Sequence, residues 1–249
     1  MKLVILAAGY ATRLYPLTRD RPKHLLHVAG RPVLEHVLDS LAPIGFDTTY
    51  VVTNAKFAGV FRRWSNAYAG ALRPEIVDDG TTSEDDRLGA IGDFGLVIRD
   101  NSIDDDVVVA AGDNLFTEEL GGFGTTARER DAPLLAVHDV GDLEAIRRYN
   151  AIEIDADGRI TFFEEKPVRP RSTLTGIALY FYPRRTLPLV DEYLATGNNP
   201  DQPGRLVEWL YPRTPVYVWQ VPGEWLDIGS PETLAEANRV FSRLAAPRG

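Results

Sequence analysis

The sequence predicts an α/β fold in which a doubly wound, mixed sheet carries helices on both faces. Three observations support this prediction. Runs rich in Val, Ile and Leu recur along the chain, helical patterns lie between them, and the apolar residues in these runs are continuous. Continuous apolar runs are typical of strands that are covered on both faces. We therefore expect a Rossmann-like core with right-handed crossovers.

The first half of the chain alternates strands and helices. Strands are predicted at residues 3–8, 48–54, 106–113 and 133–140. A helix is predicted between the first two strands, because Val33, Leu34, Val37, Leu38 and Leu41 follow helical spacing before Pro43 and Gly45. A second helix is indicated by Phe57, Val60, Phe61, Trp64 and Tyr68.

The pattern changes at about residue 150. Residues 151–155 and 159–166 flank the turn Ala156-Asp157-Gly158, which predicts an antiparallel hairpin, and residues 175–183 read as another strand. A helix over 186–197 and a strand over 216–222 follow. Ser230, Pro231 and Glu232 then form a typical helix start, with an N-cap, a first-turn proline and an acidic residue.

Composition excludes several classes of protein. The 249 residues include 27 Lys and Arg and 36 Asp and Glu, a net charge of −9, which argues against nucleic acid or a membrane as partner. The absence of cysteine excludes disulfides, thiolate-bound zinc and thiol nucleophiles. The apolar stretch Leu3 to Ala8 is too short for a signal peptide or a membrane span. We expect a cytoplasmic protein.

Chemistry-bearing residues cluster after the first predicted strand. Gly9 lies in a turn of small residues, and Arg13, Arg21 and Lys23 follow closely. Open α/β sheets bind ligands at this end of their strands, and turn N–H groups with Arg and Lys can hold phosphate oxygens. The segment matches neither G-x-G-x-x-G nor the P-loop pattern, so it predicts a phosphate site of another type.

Residues 6–26, LAAGYATRLYPLTRDRPKHLL, resemble the signature of the sugar-1-phosphate nucleotidyltransferases. Further motifs of that family appear in order at residues 110–116, 147–155, 162–167, 175–183 and 224–232. The resemblance implies one nucleotidyltransferase domain over 1–249 with the nucleotide-diphospho-sugar transferase fold. It also implies a division into a nucleotide-binding core at 1–148, a sugar-binding hairpin region at 149–183, and a return to the core with a terminal helix at 184–249.

The resemblance implies a reaction in which a sugar 1-phosphate attacks the α-phosphorus of a nucleoside triphosphate in line and pyrophosphate leaves. Arg13, Lys23 and Asp113 match the family's catalytic residues. Asp113 and Asp227 match the two carboxylates that hold Mg²⁺, a cation that prefers carboxylate and phosphate oxygens. An aspartate that only caps a helix or turn is the alternative for either position.

Substrate-binding residues are also implied by the resemblance. Nucleotide contacts are expected from Leu6, Ala8, Gly9, Tyr10, Ala11, Thr12, Arg13, Glu84 and Gly89, with Gly89 allowing close approach of the base. Sugar-phosphate contacts are expected from Asn150, Glu165, Lys166, Tyr180 and Trp225. The alternatives are a solvated acidic loop around Glu84, a surface ion pair for Glu165 and Lys166, and core packing for the two aromatic residues.

Three positions depart from the family pattern: Ala11 replaces a glycine, His24 a proline and Asn150 a glycine. A left-handed backbone costs more for alanine, so the loop around Ala11 is expected to sit differently. The four histidines show no metal-ligand spacing and are assigned no chemistry.

We expect thymidylyl or uridylyl transfer to a hexose 1-phosphate. Alternatives are guanylyl or cytidylyl transfer to a heptose, cyclitol or phosphocholine substrate and, in another class, a noncatalytic nucleotide-sugar binding regulator. The expected partners are a nucleoside triphosphate and a sugar 1-phosphate, and the expected oligomeric state is a monomer or a homodimer.

Overall fold

The computed structural model describes residues 1–245. Within these residues the strands are, in chain order, β1 (Lys2–Leu6), β2 (His27–Val28), β3 (Arg31–Pro32), β4 (Thr48–Thr53), β5 (Pro74–Asp78), β6 (Val107–Ala111), β7 (Asn114–Phe116), β8 (Leu134–Asp139), β9 (Asn150–Ile154), β10 (Ile160–Glu165), β11 (Leu174–Tyr182), β12 (Tyr217–Gln220) and β13 (Trp225–Asp227). The α-helices are α1 (Val33–Leu41), α2 (Ala55–Ala67), α3 (Ala90–Asp100), α4 (Gly121–Arg130), α5 (Leu143–Ile146), α6 (Leu187–Ala195), α7 (Gly204–Leu210) and α8 (Pro231–Ala245).

A seven-stranded mixed sheet in the order β12-β8-β11-β6-β1-β4-β5 forms the centre of the fold. Six strands are parallel, and β11 is antiparallel to both of its neighbours. The predicted doubly wound α/β fold with a mixed sheet is therefore confirmed. β9 and β10 pair with each other outside this sheet, as the hairpin pattern predicts.

The segment 149–183, predicted as a sugar-binding hairpin region, includes one strand of the main sheet. Its last strand, β11, lies in the middle of the main sheet between β6 and β8. The side chains of Ile177, Leu179 and Phe181 are buried in the core, which explains why this strand is apolar almost throughout. Only β9 and β10 form the small antiparallel insertion.

Alternating residues of the central strands face two separate apolar cores. Leu3 and Ile5 pack in the first core, with α1, α2 and α8, whereas Val4 packs in the second, with α3, α6 and α7. Burial of each helix's apolar face against the sheet is the main force that holds it there. The parallel strands are thereby fixed between two helical layers, with their carboxyl ends at one edge.

Two helix starts show how local sequence sets element bounds. The Asn54 side chain accepts a hydrogen bond from the Phe57 N–H at 3.1 Å and so caps α2. Ser230 Oγ accepts from the Thr233 N–H at 3.3 Å before α8, as its sequence pattern predicts. None of the helices in residues 1–245 has the length and apolar character needed to cross a membrane.

Candidate active site

A cleft of about 380 Å³ opens at the carboxyl ends of the parallel strands. Its walls come from the loop after β1, the segment between β5 and α3, the residues that follow β6, and the start of the α7 region. The lining residues are Leu6, Ala8, Gly9, Tyr10, Ala11, Thr12, Arg13, Lys23, His24, Asp79, Glu84, Arg87, Gly89, Ala90, Asp93, Asp113, Asp201 and Gln202. All nine residues predicted to bind nucleotide line this cleft.

The loop after β1 is held by contacts to its carbonyl groups. Asn54 Nδ2 donates to the Ala8 carbonyl at 2.7 Å, and Thr18 Oγ1 donates to the Ala11 carbonyl at 2.8 Å. Ala11 has φ 51° and ψ 44°, so it adopts the left-handed conformation that a glycine would take more easily. The replacement of glycine therefore leaves a left-handed backbone in place, at a cost of about 1–2 kcal/mol.

Lys23 and Asp113 form an ion pair at one end of the cleft. Asp113 Oδ1 also accepts a hydrogen bond from Asn114 Nδ2 at 3.1 Å. Burial acts to raise the pKa of Asp113, but the charge of Lys23 and the hydrogen bonds from Lys23 and Asn114 together contribute to holding that pKa below its ordinary value. Asp113 is therefore an anion in the folded protein.

Asp227 joins this end of the cleft through strand pairing. β13 pairs with β7 so that Asp227 lies opposite Asn114, next to Asp113. Burial, and then the negative charge of Asp113, raise the pKa of Asp227 to about 6. The positive charges of Lys23 and Arg13 act on the same carboxyl in the opposite direction. We call Arg13, Lys23, Asp113 and Asp227 the charged cluster.

The charged cluster has the donor set that a hard divalent cation requires. Two carboxylates lie close enough for one to disfavour ionisation of the other, and a cation between them would relieve that repulsion. The structure thus brings together all four residues that the sequence proposed for catalysis and metal binding. Asp113 and Asp227, which are far apart in the chain, meet as expected.

His24 lies behind Lys23 and is only 2% exposed. Burial, and then the charge of Lys23, lower its pKa to about 3, so the ring is neutral. A Cβ atom at Gly112 would approach His24 Cδ2 to 2.9 Å, so the ring fills the space beside that glycine. The histidine at this position therefore packs against the turn after β6, which carries Asp113.

The opposite end of the cleft is acidic. Asp79 Oδ1 accepts hydrogen bonds from the N–H and the hydroxyl of Thr81, both at 2.7 Å. Asp93, on the first turns of α3, is buried beside Asp79, and burial followed by the charge of Asp79 raises its pKa to about 8. Tyr10 reaches the same group through a 3.4 Å contact between its hydroxyl and that of Thr81.

Glu84 lies at the rim of this acidic end. It pairs with Arg87, which also contacts the Asp201 carboxylate through Nε at 3.1 Å and Nη2 at 2.8 Å. Arg87 thus ties the segment before α3 to the segment before α7. Glu84 lines the cleft as expected, and its carboxylate is already engaged by that arginine.

The reason for glycine at position 89 differs from the expected one. Gly89 has φ +79°, and a Cβ atom there would lie 2.7 Å from the backbone of Pro200 and 2.9 Å from the Asp201 nitrogen. The glycine thus allows close packing of Gly89 against the backbone of Pro200 and Asp201. The Ile91 N–H donates to the Pro200 carbonyl at 2.8 Å, so this packing also supplies a hydrogen-bond acceptor for one of the first N–H groups of α3.

The hairpin contributes a buried carboxyl group. Glu165 ends β10, its Oε2 receives no hydrogen bond from residues 1–245, and burial raises its pKa to about 7. A Cβ atom at Gly204 would lie only 2.2 Å from that oxygen. Lys166 follows with φ 51° and an exposed side chain.

Asn150 uses its side chain within the fold. Its Oδ1 accepts from the Gly176 N–H at 2.6 Å, and its Nδ2 donates to the Gly176 carbonyl at 3.1 Å. The Thr175 hydroxyl also donates to Oδ1 at 3.2 Å, so the amide group joins β9 to β11 by three hydrogen bonds. This arrangement occupies both hydrogen-bonding groups of the Asn150 amide.

The two predicted aromatic contacts have different surroundings. Tyr180 is 3% exposed, stacks on Tyr182 at a centroid distance of 6.1 Å and belongs to the core, which favours the core interpretation over a sugar contact. Trp225 is only partly buried, and its Nε1 donates to Asn114 Oδ1 at 2.7 Å. Its ring lies 5.3 Å from Tyr149 and 6.0 Å from His138, and Trp225 begins the strand that ends at Asp227.

Sequence reasoning missed the Asp79 and Asp93 pair. A signal for Asp93 is present, because it lies one helical turn before Val97 among buried positions of α3. An acidic residue on an apolar helix face is uncommon unless it has a partner. Sequence patterns give no signal for its partner Asp79, because the contact between Asp79 and Asp93 depends on the path of the segment that follows β5.

The fold and the charged cluster define a class of protein: an α/β fold with a cleft at its strand ends in which two cationic side chains lie beside two carboxyl groups. The family model described as nucleotidyl transferase matches residues 2–243. The chain belongs to the sugar-1-phosphate nucleotidyltransferase family, as its motifs indicate.

Comparisons with known proteins agree with that membership. The chain is 31% identical over 182 residues to UTP–glucose-1-phosphate uridylyltransferase AglF of Haloferax volcanii, covering 73% of this chain and 72% of the relative. It is 27% identical to a glucose-1-phosphate thymidylyltransferase of Streptomyces antibioticus, covering 100% and 68%. A structure of UDP-glucose pyrophosphorylase complexed with UDP-glucose superposes with a TM-score of 0.81 at 19% identity, covering 98% of each chain, which shows the shared fold. Against other relatives the chain spans a smaller share, 54% of the bifunctional protein GlmU of Methanocaldococcus jannaschii.

Proposed function

We propose that this protein transfers a uridylyl or thymidylyl group from a nucleoside triphosphate to a hexose 1-phosphate and releases pyrophosphate. The observation that carries the proposal is the charged cluster, in which Arg13, Lys23, Asp113 and Asp227 meet at one end of a strand-end cleft. The names of the relatives support the choice of base and sugar.

The cluster suits a reaction between two polyanions. A phosphate monoester is already anionic, so the attacking oxygen needs no general base, and the main task is to offset charge repulsion. Lys23 would leave Asp113 in part to contact the reacting phosphates, and Arg13 would hold the leaving phosphates by its guanidinium fork. Both residues gain favourable contacts as negative charge develops.

Asp113 and Asp227 are the residues that would hold Mg²⁺. When bound, the ion would supply further positive charge to the phosphate oxygens. Asn114 and Trp225 support these carboxylates, because Asn114 donates to Asp113 and accepts from the Trp225 indole.

The sugar would lie between the hairpin and Trp225. Glu165 would offer sugar hydroxyls the carboxyl oxygen that has no hydrogen-bond partner within residues 1–245. Lys166 would offer an ammonium to the sugar phosphate, and Trp225 an aromatic face. Asn150 would act through its support of Gly176 on β11. A reducing cytoplasm fits the lack of cysteine, and a monomer or homodimer remains our expectation.

Incubation of the protein with each nucleoside triphosphate and a panel of sugar and cyclitol 1-phosphates tests the proposal. We expect pyrophosphate release and a nucleoside diphosphate sugar of the expected mass with UTP or dTTP. Release only with GTP or CTP would instead support the guanylyl or cytidylyl alternative. No release with any pair, together with nucleotide-sugar binding, would favour a noncatalytic regulator.

A further inference from the structure

The side-chain amide of Gln202 is a polar group of the cleft that the proposed reaction has not yet used. Gln202 lines the cleft and is partly buried. Its Nε2 makes no hydrogen bond within residues 1–245 and, unlike Asp93 Oδ1 or Glu165 Oε2, it is not enclosed by the protein. The amino group of this amide is therefore an accessible hydrogen-bond donor in the wall of the cleft.

A neighbouring arginine fixes the orientation of the Gln202 amide. Arg205 Nε donates to Gln202 Oε1 at 2.8 Å, and the Arg205 backbone N–H donates to the Gln202 carbonyl at 3.0 Å. Because the Nε–H of arginine can only donate, the amide must turn its oxygen toward Arg205. Arg205 is itself paired with Glu208 through Nη1 at 3.5 Å. The NH₂ group of Gln202 therefore points away from Arg205, and it offers donors only.

Backbone contacts place Gln202 at the acidic end of the cleft. The preceding residue, Asp201, packs against the start of α3, where its carbonyl accepts from the Ala90 N–H at 3.4 Å and its nitrogen would lie 2.9 Å from a Cβ atom at Gly89. Gly89 and Ala90 line the same cleft. The carboxyl groups at this end disfavour a phosphate, so the base is the part of a nucleotide that fits beside Gln202.

We propose that Gln202 is a specificity-determining residue whose Nε2–H group donates a hydrogen bond to the O4 keto oxygen of a uracil or thymine base. This inference rests on the proposed function, which places a nucleotide in the cleft and favours these two bases. Cytosine carries an amino group at the same ring position, so two donors would face each other and CTP would be disfavoured. Arg205 is the positioning residue that keeps the amide oxygen turned away from the base.

The test compares UTP with CTP, and glucose 1-phosphate is the second substrate. Gln202→Glu keeps the shape and the contact to Arg205 but presents an acceptor in place of the donor, whereas Gln202→Ala removes the group. The control is Gln220, the other glutamine of the chain, which is exposed on β12. Gln220→Glu and Gln220→Ala make the same changes outside the cleft. We measure kcat and KM for each protein with each nucleotide.

We expect wild type and both Gln220 variants to prefer UTP to CTP in kcat/KM by about 100-fold or more. Gln202→Ala should lower kcat/KM for UTP by about 3- to 10-fold with little change for CTP, as for loss of one neutral hydrogen bond. Gln202→Glu should reduce the preference for UTP by about 10- to 100-fold, because its carboxylate repels O4 and accepts from the cytosine amino group. Arg205→Ala, which lets the amide rotate, should reduce the preference by about threefold.

Other results would overturn defined parts of this proposal. Equal use of UTP and CTP by wild type would refute the contact without any variant. A Gln202→Glu protein that melts earlier yet keeps the wild-type preference would show that Gln202 only supports the start of α7. Equal losses for UTP and CTP in Gln202→Ala would place the amide against a part that both nucleotides share. An unchanged preference in Arg205→Ala would remove Arg205 as the positioning residue.

Two results with wild type separate this inference from the function on which it rests. Activity restricted to GTP or CTP would refute the uracil and thymine assignment while leaving a nucleotidyltransferase. A wild-type protein that is inactive with every nucleotide would instead refute the proposed function.

Discussion

At the scale of single residues, Lys23 is the side chain with the most direct effect on the proposed reaction. It begins a short 3-10 helix, pairs with Asp113 and lines the cleft where phosphates would meet. We expect Lys23→Ala to lower kcat by about 10²- to 10³-fold, the cost of removing one group that stabilises developing charge. Steady-state kinetics of pyrophosphate release measure this effect.

The matched control for that variant is Lys56→Ala, which removes an exposed lysine from α2. Its kcat should equal that of wild type. Because Lys23→Ala also leaves Asp113 without its ion-pair partner, circular dichroism and thermal melting should confirm that the variant is folded at the assay temperature. A folded Lys23→Ala protein with wild-type kcat would remove the lysine from the mechanism.

The protonation of Asp93 predicts how stability depends on pH. Its pKa is raised from 3.8 to about 8 by burial and by Asp79, so the folded state favours the protonated form. The proton-linked stability is complete below about pH 4 and is lost as pH rises through about 8. Groups near this pair are Asp78, Thr81 and Tyr10, with Glu84, Arg87 and Asp201 in the same cleft.

Asp93→Asn removes the titrating group and keeps its shape. We therefore expect the Tm of wild type to fall more steeply between pH 5 and pH 9 than the Tm of Asp93→Asn. Thermal melts across this range, with Asp100→Asn as the control that keeps the wild-type slope, measure the difference. Parallel slopes for wild type and Asp93→Asn would mean that Asp93 ionises normally.

At the scale of elements, the hairpin and α7 meet at Glu165 and Gly204. A methyl group at Gly204 would lie 2.2 Å from Glu165 Oε2, so Gly204→Ala must move this carboxyl group. We expect the KM for the sugar 1-phosphate to rise by about 10- to 100-fold, as for loss of a hydrogen bond to a charged group. The KM for the nucleotide should change little.

Gly59→Ala is the control for that glycine substitution. Gly59 is exposed on α2, and its new Cβ would lie 3.8 Å from Arg63, an ordinary contact. Alanine inside a helix should stabilise the protein by about 0.5–1 kcal/mol without changing either KM. If Gly204→Ala behaved in the same way, Glu165 would have no part in sugar binding.

Local sequence patterns predict where the helices and strands of this fold lie along the chain. They predict less well which elements lie next to each other in space. Five of the six parallel strands (β1, β4, β6, β8 and β12) and the helices α1, α2 and α8 follow from apolar spacing and turn residues, because each signal is contained in a few residues. The edge strand β5 was not predicted. The position of β11 in the middle of the main sheet does not follow from its sequence, because an apolar strand has the same pattern in a central sheet as beside a hairpin. Sequence patterns could not explain Gly89 for the same reason, because glycine is required there by close packing against the backbone of Pro200, which is distant in the chain.

At the scale of the whole molecule, the charged cluster exists only because distant strands converge. Asp113 follows β6 and Asp227 ends β13, and the pairing of β13 with β7 brings them together. Motif resemblance could name both residues, but their mutual effect on ionisation appears only in the folded chain. The proposed binding of a divalent cation therefore depends on the complete fold.

We expect EDTA to abolish pyrophosphate release and added Mg²⁺ to restore it, because two close carboxylates and two sets of phosphates cannot meet without further positive charge. Asp227→Asn should weaken Mg²⁺ activation, shifting the half-maximal Mg²⁺ concentration upward by about tenfold or more. Mg²⁺ titrations in the presence of nucleotide, followed by thermal melting, give a readout that does not depend on turnover. The exposed Asp100→Asn protein should follow wild type in both measurements. Full activity after exhaustive chelation would exclude a metal role for Asp113 and Asp227, and their proximity would then need another cause, such as a proton shared between them.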